Sequence, residues 1–425
     1  MATLSKIPDF VRLEHQVATL LTQQEIYGWR FDERAAWQLT QTIQEELQKT
    51  EKVLQERYPF VQGTEFNPKR DNKTQGYIRG APFCRLKELN TSSRDHIAWI
   101  LQTHCGWNPD KLTATGKPIV DETSLKENGS EVAMMFLSQL ETTKKLGMLS
   151  NGVNAWLRLC TSAKRIHHHC SIGAITHRCT HRNPNLAQVP SDDEFRRLFT
   201  ASPGYIMVGA DLSGIELRML SHYLSRYDSG RYADILLNGD IHQVNADKIG
   251  ISRSQVKTVT YAFLYGAGDE KIGHSIDPLL TTKKAKSTGK EIRAAYVDAI
   301  PGLQDLLNAV KKASEKGWLK GIDGRKFTIT SSHCALNYLL QGSAGVIAKR
   351  WMVLADENIK KLGIDKDTHQ LAFIHDELQY ETKREHESDL CASLVYSAAE
   401  AGEYYKLRCP IAAEAVRGDT WADTH

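Results

Sequence analysis

The sequence predicts an α+β fold, in which segments far apart along the chain build one sheet around a helical insertion. Two short apolar strands indicate this sheet, at residues 205–210 and 371–374, and the second is followed by a tight tip of sequence HDE at 375–377 and a return strand. Between them, residues 225–320 show mainly helical periodicity. A turn of sequence DG at 323–324 then marks a hairpin and the return to sheet.

The first 155 residues are predicted to be mainly helical. Apolar side chains recur every three or four residues within 13–55, with a break at Gly28, and helical patterns follow at 94–103 and 131–145. Segment 58–89 is rich in Pro, Gly, Asn and Lys and has no periodicity, so we expect a long irregular insertion there.

The composition is that of a soluble globular protein. The 425 residues include 54 Lys and Arg against 51 Asp and Glu, and 41% are hydrophobic, which excludes a largely disordered, collagen-like or multi-span membrane chain. Eight cysteines without a C-x-x-C pair indicate a reducing compartment rather than a disulfide scaffold. The first ten residues hold no apolar run before a cleavage site, so we expect a cytosolic protein without a membrane segment.

Two segments are more basic than the chain as a whole. Residues 158–182 contain five Lys or Arg, five His and no acid, and residues 283–326 contain eleven Lys or Arg against five acids. Such segments suit a polyanion, and a solvated helix face is the ordinary alternative. The run HHHC at 167–170 is interpreted as basic and solvent-facing, because consecutive side chains do not face one metal ion and no second ligand pair follows at zinc-site spacing.

Two carboxylates, Asp211 and Asp376, each follow a buried apolar strand. If the two strands are neighbours, the acids converge, and carboxylate oxygens bind Mg²⁺ while leaving coordination positions for substrate phosphates. A single Asp after a strand is more often a turn former or a helix cap, so the prediction depends on the pair.

A helix that begins after Ser252 carries four side chains at intervals of four residues: Arg253, Lys257, Tyr261 and Tyr265. Two cations in the first turns of a helix are unfavourable unless an anion compensates them, and a triphosphate would do so. The tyrosines offer flat faces for a sugar or a base, and burial in a core is the alternative for them.

Three further polar residues have two open interpretations each. Glu216 either completes a capping box with Ser213 or lies against the sugar of a bound nucleotide and excludes a 2′-hydroxyl. Asn337 and Gln341 share one face of a helix predicted over 335–361, where they either read the minor groove or are surface polar groups.

Together these segments resemble a known family. The sequences DLSGIELR, RSQVKTVTYAFLYGAG and HDE occur in the order and roughly the spacing of motifs A, B and C of family A DNA polymerases, which are similar to bacterial DNA polymerase I. The sequences PNLAQVP, NGDIHQ, DGRKFTITSSHCALNYLLQ, SSRDHI and GDTWADTH look like those of the replicative polymerases of short-tailed bacteriophages.

The resemblance implies a right-hand fold with template-directed DNA synthesis. It implies N-terminal helices and thumb over 1–155, the first part of the palm over 156–224, helical fingers over 225–321 and the second part of the palm over 322–425. The primer 3′-hydroxyl would attack the α-phosphorus of a deoxynucleotide and release pyrophosphate, mainly through positioning and charge neutralisation.

The resemblance also implies a role for each matching residue. Asp211 and Asp376 would hold two Mg²⁺ ions, with the carbonyl of Leu212 assisting and Glu377 beside them. The triphosphate would be bound by Arg253, by Lys257 at the reacting phosphate and by His242. Tyr261 would pack on the sugar with Glu216 as the ribose filter, and Tyr265 would occupy the templating position. The remaining residues would line the primer-template: Arg178, Asn337, Gln341 and His375.

The chain departs from the family pattern in three places. The motif T-G-R reads Thr176-His177-Arg178 and lacks its glycine. No strand followed by D-x-E precedes residue 155, so we expect no intrinsic 3′ to 5′ proofreading. The chain is then either a split polymerase whose exonuclease is a separate polypeptide or a fragment of a longer protein, and both alternatives stay open. A primase-helicase or a processivity factor is a further partner that the resemblance allows, although segment 58–89 is shorter than the thumb insertion that binds such a factor in phage relatives. As a phage protein, the chain would work in the cytoplasm of a bacterial host.

Three other functions share part of this pattern. A single-subunit RNA polymerase shares the paired aspartates and the Arg-Lys-Tyr helix, but Glu216 argues against a site that accepts ribose. An inactive DNA-binding subunit would not need both aspartates together with Arg253 and Lys257. A two-metal nuclease has no need of a helix that binds triphosphate.

Overall fold

The computed structural model of the protein describes residues 7–109, 111–278 and 280–425. Contacts group these residues into two compact units, one comprising the chain up to Glu33 with Leu159–His425 and the other comprising Arg34–Arg158. Residues 1–6, which contributed to the prediction of no export signal, lie outside the described residues. No helix among the described residues has both the length and the apolar character that crossing a membrane requires.

The fold is α+β, as predicted from the sequence, with sixteen α-helices and twelve strands among the described residues. The helices are α1 (Asp9–Tyr27), α2 (Glu33–Arg57), α3 (Arg94–His104), α4 (Glu122–Asn128), α5 (Glu131–Leu146), α6 (Trp156–Leu159), α7 (Asp193–Arg196), α8 (Ile215–Asp228), α9 (Arg231–Asn238), α10 (Ile241–Ile249), α11 (Arg253–Leu264), α12 (Asp269–Ile276), α13 (Thr282–Ala299), α14 (Leu303–Ser314), α15 (Ala335–Leu362) and α16 (Glu387–Tyr404). The strands are β1 (Trp29–Arg30), β2 (Phe60–Gln62), β3 (Leu86–Glu88), β4 (Arg165–Ile166), β5 (His169–Ser171), β6 (Thr180–Arg182), β7 (Tyr205–Leu212), β8 (Trp318–Lys320), β9 (Lys326–Thr328), β10 (Thr368–Ile374), β11 (Glu377–Lys383) and β12 (Ala413–Gly418).

The larger unit is built on a four-stranded antiparallel sheet with the order β10-β11-β7-β12. Strand β7 is central and buried along most of its length, because apolar residues face both sides of the sheet. The predicted strand at 205–210 is two residues longer than expected, so Asp211 lies on the strand rather than after it. Strands that are far apart in sequence are therefore direct neighbours in the sheet.

Helices cover this sheet. α16 packs against β7, β11 and β12, and α1 packs against β10 and α15. The long helix α15 is apolar around most of its circumference, and its core-facing residues include Val346, Ile347 and Trp351, each at 0% exposure. α1 thus belongs to the larger unit, whereas the sequence placed residues 1–155 in one domain. The predicted domain bounds remain a prediction.

A helical insertion, α8 to α14, lies between the two halves of the sheet in sequence. Within it, α12 and α13 approach backbone to backbone, since a Cβ atom on Gly289 would lie 1.8 Å from the carbonyl oxygen of Asp269. A Cβ on Gly273 would lie 2.0 Å from the carbonyl oxygen of Ala285. Two glycines therefore fix the spacing of this helix pair.

The smaller unit, Arg34–Arg158, has its own apolar core, in which Leu54, Ile97 and Phe136 are fully buried. Three of its helices, α2, α3 and α5, were predicted, and α4 was missed because it is only seven residues long. Segment 58–89 is largely irregular as expected, but β2 pairs with β3 across it, and Phe66, Tyr77 and Phe83 form an aromatic cluster between the two strands. The pairing of β2 with β3 could not be predicted, because the two strands are far apart in sequence and neither has a local pattern that indicates its partner.

Candidate active site

Asp211 and Asp376 lie on neighbouring strands at one end of the sheet. In the register of β7 and β11, Asp211 is the partner of Glu377, and the backbone N–H of Leu212 donates to the carbonyl oxygen of Asp376 at 3.0 Å. His375 turns the β10–β11 hairpin with a φ of +60°, in the left-handed region. The convergence of the two acids, predicted on condition that their strands are neighbours, is therefore present.

The pair concentrates negative charge in a partly desolvated place. Burial raises the pKa of Asp211 to about 7, and the carboxylates of Asp376 and Glu377 add to the effect. Burial and then Glu216 raise the pKa of Asp376 to about 6, against the opposing influence of Arg178. Two carboxylates that repel each other form a donor set of hard oxygens, which suits a divalent cation such as Mg²⁺.

Glu377, the third acid of the hairpin, has its own partners. Its Oε1 accepts hydrogen bonds from Gln379 Nε2 at 2.7 Å and Trp421 Nε1 at 2.8 Å, and its Oε2 lies 3.0 Å from His425 Nδ1. These contacts tie β11 to the C-terminal residues. Glu377 therefore anchors the chain end, with its carboxylate turned to those partners.

The capping-box interpretation of Glu216 is wrong. The N-cap of α8 is Gly214, whose φ of +56° is left-handed and which supplies no side-chain cap, so Ser213 is not the cap residue. Glu216 is instead 6% exposed and accepts from Arg178 at 2.5 Å and from the Tyr265 hydroxyl at 2.9 Å. The carboxylate is thus held close enough to Asp376 to raise the pKa of that residue.

Helix α11 presents the predicted row of side chains. Ser252 caps it and forms a capping box with Gln255, and Arg253 and Lys257 are exposed in its first turns. The rings of Tyr261 and Tyr265 are stacked with centroids 6.5 Å apart and planes 23° apart. Core burial, the alternative for the tyrosines, is wrong for Tyr265, which is 47% exposed.

Asp240 is a neighbour of this row that the sequence interpretation did not single out. It caps α10 by accepting from the backbone N–H of His242 and Gln243, and its Oδ2 lies 2.5 Å from Arg253 Nε. The ring of His242 lies 6.4 Å from that of Tyr261. An aspartate before a helical His is a capping signal, but its pairing with Arg253 depends on the packing of α10 against α11.

Arg178 lies in the loop between β5 and β6, next to the position where the family pattern has glycine. His177 occupies that position with a φ of +57°, so the backbone there is left-handed although the residue is not glycine. Its ring lies 5.0 Å from that of Phe327, which gives the side chain a packing partner. The loop therefore still directs Arg178 to Glu216.

Two predicted primer-template residues lie on α15. Asn337 is 8% exposed and its Nδ2 donates to the carbonyl oxygen of Leu264 at 2.7 Å, so the surface-polar alternative is wrong for this residue. This bond holds the start of α15 against the end of α11. Gln341 lies one turn further along and is half-buried.

The interpretation of the HHHC run as solvent-facing is also wrong. His168 is fully buried and Cys170 is 7% exposed. The segment forms β5 and pairs with β6, so alternate side chains point inward, a pattern that a three-residue strand does not reveal in sequence.

Comparison with known proteins agrees with this fold. The family model for DNA polymerase family A matches residues 38–423. The DNA-directed DNA polymerases of Enterobacteria phage T3 and Escherichia phage T7 are each 31% identical over 98% of this chain and 70% of their own length. DNA polymerase I of Pseudomonas aeruginosa is 24% identical over 80% of this chain and 39% of its own. The polymerase domain of Pol1 from M. smegmatis, solved with DNA primer-template and dNTP, superposes with a TM-score of 0.78 at 22% identity and covers 97% of this chain and 70% of that one.

A fold with two carboxylates that converge on neighbouring strands, together with a helix lined by Arg, Lys and Tyr, matches that of a template-directed polymerase. The chain belongs to DNA polymerase family A. It is a DNA-directed DNA polymerase, and enzymes of this family use divalent metal ions.

Proposed function

We propose that Asp211 and Asp376 hold two Mg²⁺ ions, with the backbone carbonyl of Leu212 as a further ligand, and that the chain extends a DNA primer with deoxynucleotides. The observation that carries this proposal is the register of β7 and β11, which brings the two carboxylates so close that burial and then the charge of Asp376 raise the pKa of Asp211. Bound metal ions would activate the primer 3′-hydroxyl and neutralise the leaving pyrophosphate.

The triphosphate binds, in this proposal, along the first turns of α11. Arg253 and Lys257 are exposed there at the positive end of the helix dipole, where a polyanion is favoured. Lys257 faces the reacting phosphate, and His242 is the third contact. Asp240 pairs with Arg253 in the present structure, so triphosphate binding would replace an exposed carboxylate with a stronger anion.

The sugar and the template base are positioned by the stacked tyrosines. Tyr261 supports the sugar, and the buried carboxylate of Glu216 leaves no room for a 2′-hydroxyl. Tyr265 lies at the C-terminal end of α11 and occupies the templating position through its bond to Glu216. A template base that displaces Tyr265 would break its hydrogen bond to Glu216. Base pairing would then be coupled to the position of the Glu216 carboxylate, which filters the sugar.

The primer-template end is lined by Arg178, Gln341 and His375, while Asn337 acts by holding α15 to α11. We assign the four-stranded sheet of 156–224 and 322–425 to the palm, helices of 225–321 to the fingers, and the helices of residues 1–155 to the N-terminal segment and thumb. The mycobacterial relative, solved with primer-template and dNTP, supports this choice of substrates.

We further propose that this polypeptide does not remove nucleotides. Asp192 and Glu194, which have the spacing of an exonuclease pair, are exposed at the start of the four-residue helix α7 and do not follow a strand. A separate exonuclease, a primase-helicase or a processivity factor would then be the partners of the enzyme, in the cytoplasm of a bacterial host.

Primer extension tests this function. A labelled primer on a DNA template, with Mg²⁺, should lengthen with deoxynucleotides, lengthen at least tenfold more slowly with ribonucleotides, and stay intact without nucleotides. Equal rates with both nucleotide sets would favour the RNA polymerase alternative, and primer shortening would contradict the absence of proofreading.

A further inference from the structure

The β5–β6 hairpin brings two histidines and a cysteine together on one face. Cys170 and His181 are cross-strand partners, and His168 precedes Cys170 by two residues, so all three side chains point to the same side. One ring nitrogen of each histidine and the Sγ atom of Cys170 lie within 4.8 Å of one another. This is the spacing at which a single metal ion can contact three ligand atoms.

The cluster is buried, and its own hydrogen bonds do not satisfy it. Cys170 Sγ lies 3.1 Å from His181 Nδ1, and Gln24 Nε2 lies 3.0 Å from His168 Nε2. The other ring nitrogens, Nδ1 of His168 and Nε2 of His181, are buried and have no hydrogen-bond partner in the described part of the chain. A buried polar atom without a partner costs free energy, which indicates that the cluster serves more than packing.

We propose that His168, Cys170 and His181 bind one zinc ion. Two imidazoles and a thiolate are a ligand set that zinc takes readily, with Zn–S near about 2.3 Å and Zn–N near about 2.0 Å in a tetrahedral arrangement. The thiol of Cys170 releases its proton to solvent when the bond to zinc forms, and zinc undergoes no redox change. Gln24 contacts two of the ligand residues, because its Nε2 lies 3.0 Å from His168 Nε2 and 3.5 Å from Cys170 Sγ, while its Oε1 accepts from Gln370 Nε2 at 2.8 Å.

The chemistry of this site differs from that of the carboxylate pair. Asp211 and Asp376 offer only hard oxygens, whereas Cys170 offers a soft sulfur that favours zinc over Mg²⁺. The two sites are close, because the ring of His181 lies 5.8 Å from that of His375 at the hairpin tip. Zinc would therefore brace the hairpin that carries Arg178, without sharing a ligand with the catalytic metal ions.

The full chain is first stripped of metal with a chelator and then incubated with zinc or with Co²⁺. We expect one equivalent of zinc to stay bound after the excess is removed, and Co²⁺ to give the charge-transfer absorption of a cobalt–thiolate bond. Because carboxylates give no such band, this absorption separates the cysteine site from Asp211 and Asp376. Cys170→Ala should abolish the band and weaken zinc binding by about 100-fold or more, whereas Cys409→Ala, at another buried cysteine, should leave both unchanged.

A second variant, His181→Gln, tests the site independently in case Cys170→Ala does not fold. His181→Gln keeps a polar side chain on β6 and should weaken zinc binding by about tenfold or more while its far-ultraviolet circular dichroism stays that of the wild type. The proposal is overturned if the wild type binds no zinc, if cobalt gives no thiolate band, or if both variants bind as tightly as the wild type.

Discussion

The hydroxyl of Tyr265 and the guanidinium of Arg178 both contact one carboxylate oxygen, Oε1 of Glu216, at 2.9 Å and 2.5 Å. A single buried acid thus joins the end of α11 to the β5–β6 loop. Burial and then the charge of Glu216 raise the pKa of Tyr265 to about 12, so the tyrosine stays a hydrogen-bond donor at neutral pH. If Glu216 is the sugar filter that we propose, both sugar selection and the position of Tyr265 depend on this one residue.

Replacement of Glu216 should therefore relax sugar selection. In Glu216→Ala the space for a 2′-hydroxyl opens, and we expect the preference for deoxynucleotides, as a ratio of kcat/KM values, to fall by about 100-fold. Tyr265→Phe is the matched control, because it removes the hydrogen bond but keeps the carboxylate. An unchanged preference in Glu216→Ala would show that another residue excludes ribonucleotides.

The hydroxyl of Tyr261 should determine how well the enzyme rejects chain terminators. If this hydroxyl lies where a 3′-hydroxyl would otherwise be needed, the wild type accepts dideoxynucleotides readily and Tyr261→Phe rejects them about tenfold better, a factor that one hydrogen bond supplies. Competition between dideoxy- and deoxynucleotides during single-nucleotide extension measures the ratio. Equal termination by both proteins would refute this role of the hydroxyl.

The close approach of α12 and α13 gives a prediction for stability. Gly289→Ala places a methyl group against the backbone of Asp269. The higher helix propensity of Ala stabilises the variant by only about 1 kcal/mol, which is less than the clash costs. We expect the free energy of unfolding to fall by about 2 kcal/mol or more in urea titrations. Gly173→Ala, where a Cβ would meet no atom within 4 Å, should change it by less than about 0.5 kcal/mol, and equal effects would contradict the packing argument.

Protonation of His222 should lower the free energy of unfolding in mildly acidic solution. Burial lowers the pKa of this residue to about 4, with Arg408 and Arg226 as further causes, and its Nδ1 accepts a hydrogen bond from the backbone N–H of Arg408 at 3.1 Å. The folded state therefore binds this proton less readily than the unfolded state, whose histidine titrates near about 6.5. The contribution is complete above about pH 6.5 and is lost as the pH falls towards 4.

The free energy of unfolding should fall by about 1–2 kcal/mol through His222, because partial exposure of the ring reduces the contribution of its pKa shift. Urea unfolding of the wild type and of His222→Asn between pH 7 and pH 4 measures it. The variant should lose less stability than the wild type over this interval. Parallel curves for the two proteins would show that another group causes the decline.

The elements that sequence could predict are those with a local signal. The cap at Ser252, the strand that carries Asp211 and the hairpin at 375–377 were each recognisable from a few adjacent residues. The fold class was predictable because apolar strands and helical patterns alternate in long blocks.

The features that sequence missed depend on contacts between distant segments. A capping box was one of two interpretations of Glu216, because Ser213 stands three residues earlier, yet Gly214 is the N-cap of the helix and the carboxylate pairs with Arg178. The burial of His168 likewise follows from packing beneath α1, which contributes Gln24 to the cluster. A short strand with mixed residues does not show which of its faces is covered.

The central claim is that Asp211 and Asp376 act together in DNA synthesis, and the most direct test is Asp376→Asn. This variant keeps the size of the side chain and removes its charge. We predict that it binds primer-template within about threefold of the wild type, keeps the wild-type unfolding temperature, and extends the primer at least about 1,000-fold more slowly at saturating Mg²⁺. Extension at the wild-type rate by a folded variant would contradict the account.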